Sequence, residues 1–430
     1  MRQIPIMVLY NVLLLLLSPI LAFWWAMSLF KRKYRKDWKE RFGVYSPEFL
    51  SEIKKGEVIW IHAVSVGETM AALPMIEALK KRHPDKKLVL STVTATGRET
   101  ALSRIPALDG LFYFPFDFPW VIARVLTRLR PKIVIFFETE IWPNLLDELS
   151  RRMIPAVLLN GRISDRSFRR YRLIKTFFKP WVNKFSLCLV QSNEDHEKLL
   201  FLGADARKTF RTGNTKYDRE VKNEKKLFPD VPSLDRWDWI VAGSTHSGEE
   251  EMLLEAHFHI RVKHPRTGLI LAPRHPERFE EVSRIIQKRG EPLLRRSNPD
   301  FSVTALSSIA PVLLLDSIGE LNEFYGWATI SFVGGSLVPK GGHNILEPAI
   351  WGKAPFFGPY MENFREMAEL FKSRGAGIEV HDVQDMEEKM IKYLDHISLL
   401  EQTGKTAREI LLENQGATIK NIQWIEKYLA

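Results

Sequence analysis

The sequence predicts an α/β protein with two successive Rossmann-like domains and an apolar N-terminal helix. From about residue 57, short apolar runs alternate with helical patterns, which is typical of βαβ units and a parallel sheet. A Lys-rich segment interrupts the alternation, which then begins again, as expected where one domain ends and another starts. The 430 residues are too many for one ordinary domain and fit this division.

Composition and charge restrict the class of partner. The apolar fraction of 45% is normal for a globular protein. The single cysteine, Cys188, excludes an intramolecular disulfide, and its apolar surroundings predict a buried strand thiol. No Cys/His cluster has zinc spacing. The net charge of +10 gathers beside the apolar N-terminus and on one helix, without a recognisable nucleic-acid module. We therefore expect a membrane surface, and no nucleic acid, as the partner of this charge.

Residues 1–31 are predicted to be a membrane anchor. Residues 4–30 contain no charge and are long enough to cross a hydrocarbon core of about 30 Å. The basic run 31–36 follows at once, so the positive-inside rule places the remaining chain on the cytoplasmic side of the cell inner membrane. Basic residues on this flank argue against a cleaved signal peptide. A helix lying in the membrane interface is the alternative to one that spans it.

The first predicted domain covers residues 32–217. Its strands are expected at 57–61, 87–90, 111–114, 133–137, 156–159 and 187–190. A small-residue turn at 65–67 and a helix at 69–82 follow the first run, which places Glu68 at a helix N-terminus on the carboxyl edge of the sheet. The helix dipole favours an ionised carboxylate there, so Glu68 is a candidate base. The alternative is that Glu68 is one of the acids that are common in first helical turns.

Further polar groups follow later parts of this domain. Glu138 and Glu140 follow the strand 133–137, where acids are costly unless they are solvated or used, and they point the same way if the strand continues. Lys216 lies where the first domain ends, and the polar turn 91–98 is a candidate contact for an acceptor.

A basic and aromatic segment, 162–181, is a second candidate for membrane contact. Its interleaved side chains are Arg162, Arg166, Phe168, Arg169, Arg170, Tyr171, Arg172, Lys175, Phe177, Phe178 and Trp181. Such a segment can lie on an anionic membrane or bind a phosphorylated lipid. It can equally be an amphipathic helix with a solvated charged face.

The predicted linker, 218–236, leads to a second domain at 237–405. Strands are expected at 239–242, 268–271, 312–315, 329–333 and 355–357. Residues 382–430 are predicted to be helical, with 406–430 packing back on the first domain. A cleft between two such domains would suit a nucleotide on one wall and an acceptor on the other.

Glycine-rich turns in the second domain predict a nucleotide site. Gly335 and Ser336 follow the strand 329–333, and a second turn at 340–344 precedes a helix start. Glycines allow close backbone approach, and helix-start N–H groups bind phosphate. Arg274, fixed between two prolines at another strand end, suits phosphate as well. A Gly-rich crossover loop without a ligand is the alternative.

Taken together, the motifs resemble the 3-deoxy-D-manno-octulosonic acid (Kdo) transferases of lipid A biosynthesis. The segments that carry the resemblance are HAVSVGE at 62–68, ETEIWPN at 138–144, STHSGEE at 244–250, PRHPERF at 273–279, FVGGS at 332–336 and GGHNILE at 341–347. The resemblance implies a GT-B glycosyltransferase fold and a role in lipopolysaccharide biosynthesis. It also implies CMP-Kdo as donor, a lipid A precursor (lipid IVA) as acceptor, and neither a metal nor a cofactor.

The resemblance also implies residue roles. Glu68 would be the general base, which deprotonates the acceptor hydroxyl for inverting attack on the anomeric carbon. Glu138 and Lys216 match positions that stabilise the transition state. The positions that match CMP contacts are Pro273, Arg274, Ile318, Gly319, Glu320, Asn344, Ile345, Leu346 and Glu347.

Two other functions stay open from the sequence. One is a membrane-associated GT-B transferase or epimerase that uses a UDP-sugar. The other is a nucleotide-binding scaffold without turnover, for which Glu68→Gln would leave biological activity intact.

Overall fold

The computed structural model describes residues 3–29, 37–222, 234–298 and 310–429. The chain forms two compact units, the first comprising Met1–Asp218 and Asn414–Ala430 and the second Arg219–Glu413. The chain therefore returns to the first unit at Asn414, later than the boundary at 406 expected from the sequence. The basic run 31–36 and residues 223–233 of the predicted linker lie outside the described residues.

The first unit is built on a seven-stranded parallel sheet. Its strands are β1 (Val58–His62), β2 (Lys87–Thr92), β3 (Gly110–Tyr113), β4 (Pro131–Phe137), β5 (Ala156–Gly161), β6 (Leu187–Val190) and β7 (Thr209–Arg211), in the order β3-β2-β1-β4-β5-β6-β7. Every residue of β1 is buried, as expected when helices cover both faces of a parallel sheet. The predicted α/β class and six of these strands are confirmed, and Cys188 is buried in β6. The edge strand β7 was not predicted, because its residues, Thr209, Phe210 and Arg211, do not form a buried apolar run.

Eleven helices belong to this unit in the described part of the chain. They are α1 (Gln3–Leu29), α2 (Asp37–Arg41), α3 (Pro47–Ile53), α4 (Val66–Arg82), α5 (Ala95–Arg104), α6 (Pro119–Leu129), α7 (Pro143–Arg151), α8 (Asp165–Leu173), α9 (Lys175–Val182), α10 (Asn193–Phe201) and the last helix, α18 (Ala417–Glu426). Helix α4 begins earlier than predicted, so Glu68 lies within its first turn. The basic segment forms two helices, α8 and α9, which are separated at Ile174.

Polar side chains of helix α1 form hydrogen bonds with the rest of the first unit. The Tyr10 hydroxyl donates a hydrogen bond to Asp117 (2.9 Å), and the amides of Asn11 and Asn144 exchange hydrogen bonds of 3.2 and 2.8 Å. The leucines at positions 13, 15, 16 and 17 are exposed. Across the described ranges, no helix combines the length and the apolar character needed to cross a bilayer.

The second unit contains another seven-stranded parallel sheet. Its strands are β8 (Asp238–Thr245), β9 (Thr267–Pro273), β10 (Leu293–Arg295), β11 (Val312–Leu314), β12 (Ala328–Val333), β13 (Pro355–Phe357) and β14 (Ile378–Glu379), in the order β10-β11-β9-β8-β12-β13-β14. Its helices are α11 (Glu249–Lys263), α12 (Phe279–Lys288), α13 (Leu321–Trp327), α14 (Leu346–Ala349), α15 (Arg365–Ser373), α16 (Val383–Asp395) and α17 (Ile397–Glu413). All five predicted strands are present, whereas the short strands β10 and β14 were not predicted.

The end of the chain packs on the first unit through α18. The Asp218 carboxylate accepts hydrogen bonds from the N–H groups of Gly416 and Thr418 at the start of this helix. Trp424 stacks on Phe210 of β7 with ring centroids 4.1 Å apart. Ile422 and Ile425 of this helix belong to the same buried cluster as Ile59 and Ile61 of β1, so α18 shares with α4 the cover of one face of the first sheet.

Candidate active site

The first site lies at the carboxyl edge of the first sheet, between β1 and β4. The strand order reverses there, and ligands of open α/β sheets bind at such a switch point. Glu68 lies in the first turn of α4, which follows β1, and Glu138 directly follows β4. The sheet topology therefore brings two of the three predicted catalytic residues to neighbouring positions.

The Glu68 carboxylate is held by its own turn. Oε2 accepts a hydrogen bond from the Val64 N–H (2.8 Å), and Oε1 accepts one from the Ser65 hydroxyl (3.1 Å). Burial, followed by the negative charges of Glu138 and Glu140, raises the pKa of Glu68 to about 7. A carboxylate with this pKa can accept a proton near neutral pH.

Glu138 is fixed by an unusual backbone conformation and an ion pair. Its φ of 56° is in the left-handed region, and its N–H donates a hydrogen bond to the Leu159 carbonyl (2.9 Å). Lys216 Nζ lies 3.0 Å from Glu138 Oε1. β4 ends at Phe137. Glu138 and Glu140 therefore do not lie on a continuing strand, and strand geometry gives no reason for their side chains to point the same way. The structure does bring Glu138 and Lys216 together.

Glu140 is a third carboxylate of this cluster, and the sequence did not single out a role for it. Its Oε2 accepts a hydrogen bond from the Trp142 indole N–H at 3.0 Å. Burial, followed by the charge of Glu138, raises the pKa of Glu140 to about 7. One lysine, Lys216, thus faces a cluster of three acids.

Lys216 is positioned by a network that sequence reasoning missed. It lies in a short 3-10 helix, Thr215–Tyr217, whose Thr215 N–H donates to Asn160 Oδ1 (3.0 Å). The Lys216 N–H donates to Asn214 Oδ1 (2.9 Å). Asn160 is fully buried with φ 55°, a conformation that Asn tolerates better than most residues. An Asn immediately after a buried apolar run was the available sequence signal.

His62 packs against the aromatic side chains next to this cluster. It is fully buried, its Nδ1 lies 3.1 Å from the Ser91 carbonyl oxygen, and its ring stacks on Phe114 at 3.8 Å. Phe114 in turn packs against Trp142, with ring centroids 4.6 Å apart. Burial lowers the pKa of His62 to about 3, so the ring is neutral and serves packing.

The N–H groups of the second unit's glycine turn are bonded within the protein. The N–H groups of Gly335 and Ser336 donate to the carboxylate of Glu249, at 2.7 and 3.0 Å, and Leu337 N–H does so at 3.0 Å. Glu249 is fully buried at the start of α11. A protein carboxylate thus occupies the amide groups of a turn that the sequence predicted to approach a nucleotide closely. The Ser336 hydroxyl is also internal, since it bridges the Val333 carbonyl and the Gly358 N–H.

Arg274 lies where the sequence places it, at the carboxyl end of β9. Pro273 is buried, the Arg274 N–H donates to the Thr245 carbonyl (3.0 Å), and the Arg274 side chain is exposed. The positive charge of Arg274 contributes to lowering the pKa of both His246 and His343. This loop cluster is the basic part of the second unit's candidate site.

The predicted CMP contacts Ile318, Gly319 and Glu320 differ in exposure and in their hydrogen bonds. Ile318 is 78% exposed, and Gly319 has a φ of 93°. The Glu320 carboxylate accepts hydrogen bonds from Arg296 (2.9 Å) and from the Ser317 hydroxyl. The backbone of Ile318 and Gly319 is therefore more accessible to a ligand than the Glu320 carboxylate is.

The last predicted nucleotide contacts surround the start of α14. Asn344 Oδ1 accepts a hydrogen bond from the Leu346 N–H (3.1 Å), while the side chains of Ile345 and Leu346 are fully buried. Burial raises the pKa of Glu347, and Arg219 lies 3.8 Å from this carboxylate. Ile345 and Leu346 are therefore buried as whole residues, and the Leu346 N–H is already bonded within the protein.

Metal chemistry has no candidate ligand set in the described ranges. No group of three or more His, Cys, Asp and Glu side chains is arranged there to hold a metal ion.

The fold is that of the GT-B glycosyltransferases. A glycosyltransferase from Rickettsia africae ESF-5 superposes with a TM-score of 0.56 at 15% identity, over 87% of this chain and 99% of that one, and so shows the fold. The family model of 3-deoxy-D-manno-octulosonic-acid transferase (kdotransferase) matches residues 36–219.

Full-length relatives give the family. The chain is 36% identical to the 3-deoxy-D-manno-octulosonic acid transferase of Haemophilus influenzae over 98% of both chains. It is 32% identical to the transferase of the same name from Rickettsia felis, over 86% of this chain and 79% of that one. The chain belongs to the 3-deoxy-D-manno-octulosonic acid transferase family.

Proposed function

We propose that this enzyme transfers Kdo from CMP-Kdo to a lipid A precursor by a metal-independent, inverting mechanism. Transfer of Kdo in lipopolysaccharide biosynthesis follows from its family. The observation that carries the mechanism is the position of Glu68, whose raised pKa of about 7 suits proton abstraction beside the Glu138–Lys216 ion pair.

The chemistry assigned to the first unit is a single displacement. Glu68 accepts the proton of an acceptor sugar hydroxyl, whose oxygen attacks the anomeric carbon of Kdo. The bond from that carbon to the phosphate oxygen breaks, and CMP leaves with the bonding electrons. Positive charge that develops on the sugar is stabilised by the carboxylates of Glu138 and Glu140, and the ion pair with Lys216 holds the Glu138 carboxylate in place.

The second unit is assigned to the nucleotide. Arg274 supplies positive charge to the phosphate, so that no divalent ion is required for the leaving group. The exposed residues Ile318 and Gly319 are assigned to the cytosine base. The start of α14, with Asn344 and Glu347, is assigned to the ribose.

A membrane surface is the proposed location, on the cytoplasmic side of the inner membrane. The exposed leucines of α1 support it, as do Leu173 (83% exposed) and Ile174 (49%) beside the arginines of α8. Exposed apolar groups next to basic ones are typical of proteins that bind anionic membranes. The lipid acceptor would be met at this surface.

The test is a transfer assay in detergent with CMP-Kdo, a tetraacylated and bisphosphorylated lipid A precursor, and excess EDTA. We expect products that are heavier by whole Kdo units in mass spectrometry. UDP-sugars run in parallel separate this proposal from the UDP-sugar alternative. Product from a UDP-sugar alone, or from CMP-Kdo only when magnesium is present, would contradict the proposal.

A further inference from the structure

Three histidines meet at the carboxyl edge of the second sheet. His246 follows β8, and its Nε2 lies 2.9 Å from the Nε2 of His343 in the loop after β12. The two rings are parallel within 4°, with centroids 5.2 Å apart, and the ring of His275 lies 5.2 Å from His246 in an edge-on arrangement. A Cβ atom on Gly335 would lie 3.0 Å from His343 and 3.2 Å from His246, so this glycine permits the close pairing.

Positive charge surrounds the histidine pair. The groups that act on His246 are His275, Lys340, Arg278 and Arg274, and those that act on His343 are Arg274, His246 and His275. Arg278 is compensated, because it forms two hydrogen bonds, of 2.7 and 3.2 Å, to the buried carboxylate of Glu250. Arg274 and Lys340 form no salt bridge within the ranges that the structure describes.

Two carboxylates lie beside the three histidines, and within the described residues neither forms an ion pair with His246 or His343; Glu277 lies 3.8 Å from Nδ1 of His275. Glu249 accepts the backbone N–H of His246 (2.9 Å), but its oxygens are directed at the amide groups of the loop after β12. Burial, followed by the surrounding cations, lowers the pKa of His246 to about 4 and that of His343 to about 3. Both rings are therefore neutral near pH 7, and one Nε2–H donates to the other Nε2.

We propose that His246, His275 and His343 form a phosphate subsite that takes up a proton when the phosphate of a cytidine nucleotide binds. This inference rests on the proposed function, because it assigns a phosphate subsite to the nucleotide donor and product. Once the pair has gained a proton, both Nε2 atoms carry hydrogen and can donate to the phosphate, and Arg274 and Lys340 supply the fixed charge.

Proton uptake follows from the charge balance. A phosphate beside the rings compensates the cations that disfavour imidazolium, so the bound state favours a protonated ring. Because the complex holds more protons than its free components, the affinity for phosphate falls as the pH rises. The subsite also favours the leaving group, since negative charge on the phosphate increases when the glycosyl bond breaks.

Calorimetry of the full-length enzyme in detergent tests the subsite. CMP and cytidine are titrated in two buffers of different ionisation enthalpy, above the second phosphate pKa of about 6, so that CMP itself gains few protons. We expect net uptake of up to one proton with CMP and none with cytidine. His343→Asn should abolish most of the uptake and weaken CMP by about tenfold or more, as loss of a charge-assisted hydrogen bond does.

His259→Asn is the matched control, because this exposed histidine of α11 pairs with Glu387 and should change neither quantity. CMP binding without proton uptake, and unaffected by His343→Asn, would overturn the subsite while leaving the proposed function standing. Absence of CMP binding to the wild-type enzyme would overturn both. If the variant fails to fold, ¹⁵N-histidine NMR of the wild type decides, since we expect an imidazolium signal on addition of CMP, and unchanged histidine signals would overturn the subsite.

Discussion

Glu68 gains its basicity from the residues around it. Burial, followed by the negative charges of Glu138 and Glu140, disfavours the ionised form of Glu68, so the carboxyl group stays protonated until the pH approaches neutrality. The hydrogen bonds from Val64 and Ser65 act in the opposite direction and hold the carboxylate in one orientation. Proton affinity and orientation are therefore set by different neighbours.

The pH dependence of activity should report this arrangement. With Glu68 as base, kcat/KM should increase as the pH is raised through a pKa of about 7. Below that pH activity is low, because the protonated carboxyl cannot accept a proton. Glu138→Gln removes a negative charge that raises this pKa, so the acid limb should move to lower pH while the maximal rate falls. Glu77→Gln, on the exposed side of α4, should leave the profile unchanged. An acid limb that stays in place in Glu138→Gln would exclude the electrostatic coupling.

The support under Lys216 can be tested at Asn160. Asn160→Gly keeps the left-handed backbone accessible and removes the acceptor of the Thr215 N–H. A buried donor without a partner costs about 1–3 kcal/mol, so stability in urea unfolding should fall by that amount. The rate of transfer should fall as well, because Lys216 loses its fixed position. Lys216→Met should lower activity with little effect on stability, and full activity in Asn160→Gly would contradict this positioning role.

At the scale of elements, the sequence predicts the buried apolar strands and misses three short, partly exposed strands at the sheet edges. The strands that precede Glu68, Glu138 and Arg274 are continuous apolar runs, because a sheet covered on both faces requires them. The equally short strands β11 and β13 are fully buried and were predicted, whereas tertiary pairing creates the edge strands β7, β10 and β14. The carboxylate in the glycine turn was unpredictable for a related reason. Glu249 reaches those amides from another helix, and such a contact has no local signature.

Helix α18 provides a test of how the chain end stabilises the first unit. Ile425 is fully buried, whereas Ile419 of the same helix is 54% exposed. Ile425→Ala should lower the free energy of unfolding by about 2–5 kcal/mol, and Ile419→Ala should change it by about 0.5 kcal/mol or less. Urea unfolding followed by tryptophan fluorescence measures both, because Trp424 stacks on Phe210 in this region. Equal effects of the two substitutions would contradict the packing of α18.

At the scale of the whole molecule, membrane binding can be tested at the exposed apolar residues beside the arginines of α8. Leu173→Ser combined with Ile174→Ser should reduce co-sedimentation with vesicles that contain anionic lipid several-fold, because both side chains are exposed beside basic residues. High salt should weaken binding further by screening the arginines. Phe258→Ser, at an exposed apolar position of the second unit, is the control. Undiminished binding of the double variant would exclude α8 as a membrane contact.

Whole-molecule function was accessible from the sequence because the motif segments occur together, in order, along nearly the entire chain. Individual contacts were less accessible. The local pattern predicted that Gly335 and Ser336 contact a nucleotide, whereas in the structure their N–H groups donate to Glu249. The His246–His343 pair joins two loops that are far apart in the sequence, so only the fold reveals it.

The most direct measurement of the central claim is single-turnover transfer by Glu68→Gln, with CMP binding measured on the same preparation. We expect the rate of Kdo transfer to fall by about 10²-fold or more, which is the usual contribution of a general base. CMP affinity should stay at the wild-type value, because the nucleotide is assigned to the other unit. Transfer within a few-fold of the wild-type rate would contradict the assignment of Glu68 as the base.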